Sequence, residues 1–194
     1  MNVLIIGKDS YIGNHVDEWL EQYGHIVTQL DVLTETWKSF DYSRFDAVVH
    51  VAGIVHRPQC TDWDLYKSVN CDMPVSIATM AKMQGVKAYV YFSTMGVYEA
   101  NKSLKGCVVD DSTPVLGEGN SMYGRSKLMA EEALNLLQDD NFDVAIVRPP
   151  SVYGKDCRGG YINGFKKIAR FLPLIPRAYE DAKQSFIYID NLSE

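Results

Sequence analysis

A chain of 194 residues, 46% hydrophobic and 23% charged, can bury a full core and needs no disulfide or metal to hold it together. Its formal net charge of -6 argues against a nucleic-acid partner, whose phosphates want a basic face, but not against a nucleotide held by backbone amides. Cys60, Cys71, Cys107 and Cys157 form no CxxC pair, the N-terminus has no basic leader, and no apolar run is long enough to span a bilayer. A reducing, cytoplasmic setting without a membrane partner is expected.

In chain order, residues 3–6, 26–30, 47–51, 88–92 and 144–147 are short, β-branched-rich and apolar on both faces, which predicts strands buried within a sheet. Residues 13–23, 65–84 and 126–138 predict helices between them. In the last, Leu128, Met129, Ala133, Leu134 and Leu137 fall on one face, with Glu131, Glu132 and Gln138 nearer the other. The alternation implies an α/β fold, a doubly wound parallel (Rossmann) sheet with right-handed crossovers. Residues 32–46 are too few for a helix plus a further strand, so that crossover is predicted to be abbreviated. After Gly154 the glycines and prolines break the pattern. Residues 1–154 therefore form the predicted dinucleotide domain, and 155–194 the start of another packing unit.

The first strand runs through Gly7-Lys8-Asp9-Ser10-Tyr11-Ile12-Gly13 directly into a helix. Such a turn sets helix N-terminal amides beside a pyrophosphate, with Gly7 allowing the tight bend and Gly13 the close packing of helix on strand. Ser10 replaces the middle glycine of the usual fingerprint; its hydroxyl can bond a phosphate, while its Cβ narrows the approach. Asp31 ends the second strand, placed to accept from a ribose hydroxyl and to repel a 2'-phosphate, which favours NAD over NADP. An ordinary turn followed by a solvated aspartate is the plainer alternative.

Tyr123 and Lys127 stand four apart at the start of a helix, on one face. A phenol is a poor base at neutral pH, and a nearby cation favours the phenolate. Taken alone, such a pair is usually two surface residues. His50 and His56 flank the end of the third strand without a carboxylate or cysteine at ligand spacing, so no metal site is expected.

The motifs, taken together, resemble those of the extended short-chain dehydrogenase/reductases in the NAD-dependent epimerase/dehydratase group. Gly7, Ser10 and Gly13 match GxxGxxG. Residues 48–53, Val-Val-His-Val-Ala-Gly, are similar to a cofactor-lining strand end, and Phe92-Ser93-Thr94-Met95-Gly96-Val97-Tyr98 to SSxxVYG. Tyr123 and Lys127 match YxxxK, residues 148–154 resemble RPxxVYG, and residues 186–191 resemble a late strand of the group.

The resemblance implies Thr94, Tyr123 and Lys127 as catalytic residues. Tyr123 would take a proton from a sugar hydroxyl, Lys127 would support it and anchor a ribose, and Thr94 would bond the reacting hydroxyl. It further implies NAD held by Gly7, Ser10, Tyr11, Ile12, Gly13 and Asp31 at the phosphate end. Val51, Ala52, Gly53, Asn70, Ser93, Tyr123, Lys127 and Pro149 would hold the remainder. Thr94, Tyr123 and Ser151 would meet a nucleotide-sugar substrate, a UDP-sugar favoured.

Met95 and Gly96 follow Thr94 where sugar dehydratases carry Asp-Glu, which argues against dehydration and leaves a 4-epimerase or a 4-ketosugar reductase. Departures from the group are Ser10, Glu99 in place of a glycine, and Ser151 where epimerases often have asparagine. The group's C-terminal substrate lobe is expected to be largely missing, and a non-catalytic NAD-binding module is the rival from another class. A homodimer through the long helices is a further expectation.

Overall fold

The structure, a computed structural model, describes residues 1–55, 60–101, 108–110, 112–117, 119–157, 160–171 and 184–194, with the backbone alone at 160–163, 165 and 167. His56 and Cys107 lie outside the described residues. The apolar run at the N-terminus forms β1 (Asn2–Ile6), flanked by β2 (Ile26–Leu30) and β3 (Ala47–His50). β4 (Ala88–Phe92) and β5 (Asp143–Val147) complete a parallel sheet of order β2-β1-β3-β4-β5. Side chains alternate between its two faces. Leu4, Ile6, Val48, Tyr89 and Tyr91 face α3 (Met73–Met83) and α4 (Met122–Asn135), while Val3, Ile5, Val49 and Phe92 pack with Val16 of α1 (Tyr11–Gln22). Both faces are covered, which is why the strands read as unbroken apolar runs.

The crossover from β2 to β3 holds a single 3-10 turn, Glu35–Ser39, and no further strand, as its length predicted. β2 is consequently an edge strand. The predicted helix over 65–84 divides: α2 (Trp63–Lys67) leads through a π turn, Ser68–Asp72, into α3. Pro74 explains part of this, because it has no N–H to give Asn70 O in the preceding turn. The freed carbonyl accepts instead from the Tyr91 hydroxyl at 2.7 Å, so a buried phenol in the sheet is satisfied by the helix irregularity.

α1 and α4 each begin earlier than their apolar periodicity suggests, because a serine caps them. Ser10 Oγ accepts from Gly13 N, and Ser121 Oγ from Gly124 N. Beyond the sheet, β6 (Ser151–Tyr153) pairs in parallel with β7 (Phe186–Tyr188), with α5 (Gly160–Phe171) between them and α6 (Ile189–Ser193) after, the last packing on α1. Among the described residues, no helix is long and apolar enough to cross a membrane. β1 and β3 are neighbours whose chain continuations lead to opposite sides of the sheet. Their carboxyl ends therefore open a crevice, the usual ligand position in a sheet of this kind.

Candidate active site

The crevice begins at the turn after β1. Gly7 has φ of +120°, and a Cβ there would lie 3.0 Å from both Ala52 N and Val51 Cγ2, so only glycine lets the ends of β1 and β3 meet this closely. Val51 N and Ala52 N both donate to Ile6 O. Ser10 Oγ accepts from Gly13 N at 3.1 Å, which leaves its O–H to donate; a Cβ on Gly13 would fall 2.5 Å from that oxygen. The cap and the glycine are thus one device.

The Tyr11 side chain leads away from this turn. Its ring meets His15 edge-on, and burial, with Cys157 and Tyr188 nearby, pushes the phenol up to about 12. Asp31 is exposed at the end of β2, one oxygen accepting from Leu33 N at 2.8 Å.

A cavity of about 220 Å³ continues the crevice across the carboxyl ends of β3, β4 and β5. Of the residues singled out in the sequence, Ile12, Val51, Gly53, Ser93, Tyr123, Lys127 and Pro149 line it; Ile54, Phe92 and Val152 are additional wall residues. Ala52, Asn70, Thr94 and Ser151 are not on this wall. Asn70 is fully buried one layer behind it, bonded to Ile54 N and O and to Ser126 Oγ, and so fixes the loop after β3 against α4. Ser151 pairs with Phe186 in the smaller sheet.

Lys127 is 3% exposed; its Nζ donates to Phe92 O at 2.8 Å and lies 4.5 Å from the centre of the Tyr91 ring. Burial pushes this ammonium down to about 7, against which the Glu131 charge acts upward. A Cβ on Gly53 would stand 3.2 Å from Nζ and 2.9 Å from Asn70 Oδ1. Glycine therefore keeps open the space in front of the ammonium.

Thr94 caps the 3-10 turn Met95–Tyr98, its Oγ1 accepting from Gly96 N at 3.0 Å. Burial raises the Tyr123 phenol above its ordinary value, and the nearby Thr94 hydroxyl acts in the opposite sense. Glu99, which accepts from Ser121 N, raises it further by its charge. The sequence suggested that Lys127 would favour the phenolate; of the groups acting on Tyr123, it is the Thr94 hydroxyl that lowers it. α4 approaches the Thr94 turn so closely that a Cβ on Gly124 would be 2.5 Å from Gly96 O.

Glu131 corrects the sequence reading, which placed it nearer the solvent face of its helix. It is 1% exposed. Its carboxylate takes the Ser93 hydroxyl and three N–H contacts from Arg148, the shortest 2.6 Å from Nη2, while Arg148 Nη1 donates to Tyr98 OH at 2.6 Å. The missed signal was spacing: Glu131 follows Lys127 by one further turn on the Tyr123 face. His50 is fully buried, its Nδ1 2.7 Å from Tyr89 OH, and burial together with the Lys127 charge holds it well below its usual range. Among the described residues, no three or more His, Cys, Asp or Glu side chains converge as metal ligands would.

A doubly wound parallel sheet with a glycine turn at its switch point, and Tyr123 and Lys127 on the wall of the same crevice, is the arrangement of a short-chain dehydrogenase/reductase. The model of the NAD dependent epimerase/dehydratase family matches residues 3–194, and the chain belongs to that family. NAD is its cofactor.

A UDP-glucose 4-epimerase of Vibrio cholerae is 30% identical over 75% of this chain and 44% of its own length. An N-acetyl-alpha-D-glucosaminyl-diphospho-ditrans,octacis-undecaprenol 4-epimerase of Escherichia coli O157:H7 is 28% identical over 100% of this chain and 61% of its own. The chain thus spans less than two thirds of the length of these curated relatives. The crystal structure of UDP-glucuronic acid 4-epimerase from Bacillus cereus in complex with NAD shares the fold, with a TM-score of 0.72 at 20% identity over 100% of this chain and 70% of its own.

Proposed function

We propose that this chain is the NAD-binding part of a nucleotide-sugar 4-epimerase, with a UDP-sugar the favoured substrate. The observation that carries the reading is Tyr123 and the buried Lys127 together on the wall of one cavity at the switch point of an NAD-family sheet, with the Thr94 hydroxyl acting on the Tyr123 phenol. The residues fit the cofactor. Gly7 and Gly53 keep clear the space that side chains would fill, and the α1 amides open onto the turn as a pyrophosphate requires. Bound NAD supplies the acceptor and donor of hydride at the sugar C4.

The chain's own residues do the rest. Tyr123 Oη takes the proton of the 4-hydroxyl and returns one at the end of the cycle. Thr94 Oγ orients that hydroxyl, and Lys127 Nζ anchors the ribose and stabilises the phenolate. Asp31 accepts from a ribose hydroxyl. Relatives that act on UDP-sugars and a diphospho-linked sugar support the substrate class. Met95 and Gly96 offer neither an acid nor a base beside C5 and C6, which favours epimerisation over dehydration.

The test incubates the longest natural form of the chain with UDP-glucose and UDP-N-acetylglucosamine, with no added cofactor, and follows C4 by proton NMR. Inversion abolished by Tyr123→Phe is expected. Oxidation of NAD(P)H by a 4-ketosugar without inversion would replace the epimerase with a reductase. Silence in both would leave a binding module.

A further inference from the structure

We propose that Glu131, gripped by Arg148, is the positioning residue of this site: it fixes Ser93 at the cavity wall and sets a negative charge one helical turn from the Lys127 amine. This deepens the functional reading above and rests on its assignment of Lys127 and Ser93.

Three observations carry it. The first is reach. Glu131 lies on α4, Ser93 at the end of β4 and Arg148 at the end of β5, so one carboxylate ties together three of the elements that form the cavity. Ser93 N also donates to Val147 O at 2.7 Å, and Met95 N to Pro149 O at 3.1 Å. The Thr94 turn therefore moves with this knot.

The second is spacing. Tyr123, Lys127 and Glu131 recur every four residues along one helix, so the carboxylate sits one turn below the ammonium. The third is charge balance. The groups facing Lys127 are His50 from β3, Tyr91 from β4, and Tyr123 and Glu131 from its own helix, with the neutral Asn70 amide behind Gly53. His50 is held neutral by burial, which leaves Glu131 as the carboxylate that favours the charged amine. Arg148 pairs with that carboxylate, whose side chain is 2% exposed, and a charge buried so deeply needs such a partner. Because Ser93 gives its single proton to Glu131, its oxygen meets the cavity as an acceptor.

The test uses the intact chain with lysine labelled at 13Cε. The Lys127 resonance, assigned by its loss in Lys127→Met, is titrated by NMR in wild type and in Glu131→Gln. NAD affinity is measured calorimetrically from pH 6 to 9. Glu131→Gln is expected to shift the Lys127 titration to lower pH and to weaken NAD binding tenfold or more at neutral pH, with a smaller loss at pH 6, where more of the amine is protonated.

Arg148→Lys, which keeps the cation but loses the fork and the Tyr98 bond, is expected to leave the Lys127 titration in place and weaken NAD binding severalfold. A folded Glu131→Gln protein with lower thermal stability but unchanged Lys127 titration and NAD affinity overturns the proposal. So does unchanged NAD affinity in Arg148→Lys, which decides the matter if Glu131→Gln does not fold. Both readouts stand whether or not sugar inversion is found, so failure of the epimerase reading is seen separately.

Discussion

Gly124 sits on α4 between Tyr123 and Lys127, and replacing it with alanine sets two opposed effects against each other. Helix propensity alone favours alanine over glycine by about 1 kcal/mol at most, the helix-interior figure, and by less in the first turn, where Gly124 lies. The structure opposes it: the new Cβ would be 2.5 Å from Gly96 O and 3.1 Å from Gly96 C, against ordinary contact from 3.4 Å. Both sides of that contact are backbone, so no side chain can rotate away, and α4 must withdraw from the Thr94 turn by about 0.9 Å. Overpacking of this kind costs about 1–3 kcal/mol. The net effect is a loss of about 1 kcal/mol, or about 2–4 °C in Tm for a chain of this size.

The same displacement separates Tyr123 from Thr94, and a shift near 1 Å at a reacting pair costs about 100-fold in rate. Circular-dichroism melting and sugar-inversion rates measure the two effects. Gly164→Ala, on α5 with nothing within 4 Å of the new Cβ, is the control and should raise Tm. If Gly124→Ala also raised Tm and kept its turnover, the close approach of α4 to the Thr94 turn would be wrong.

Lys127→Met should change how stability varies with pH. The folded value near 7 lies below the ordinary 10.5, so between the two the unfolded chain holds a proton that the folded chain lacks. The penalty is full below pH 7 and fades as pH rises towards 10.5, an effect on the order of a few kcal/mol. In urea titrations the stability advantage of Lys127→Met should therefore shrink from pH 6.5 to 9.5; a constant difference would contradict the buried amine. Ser10→Ala should cost about 1 kcal/mol by removing the cap from Gly13 N, and Ser10→Gly only a few tenths, read as Tm. Asp31→Ser should narrow the preference for NAD over NADP by about tenfold, equivalent to about 1.4 kcal/mol; equal discrimination by both proteins in a binding titration would remove Asp31 from the ribose.

The strands were legible because a parallel sheet covered on both faces turns each strand into an apolar run, and the short β2–β3 crossover was legible from length alone. The Tyr–Lys pair became informative through the ordered motifs around it. What the sequence withheld depends on contacts between distant elements. Glu131 looks solvated when its helix is read alone, because its burial is made possible by Arg148, on another element and forming a bidentate pair with it. Gly124 looks like a weak helix residue until the Gly96 carbonyl is known to lie against it. Asn70 belongs to the site's order, but it holds Ile54 and Ser126 and is not on the cavity wall, a role its place in the motifs could not distinguish.

The most direct test of a 4-epimerase built on Tyr123, Lys127 and Thr94 is isotopic. UDP-glucose carrying deuterium at C4 is incubated with the longest natural form of the chain, without added cofactor, and the C4-inverted product is examined by NMR and mass spectrometry. Product that retains the deuterium at C4, and that does not form with Tyr123→Phe, is the predicted result. Loss of the label to solvent, or inversion that survives Tyr123→Phe, would contradict it.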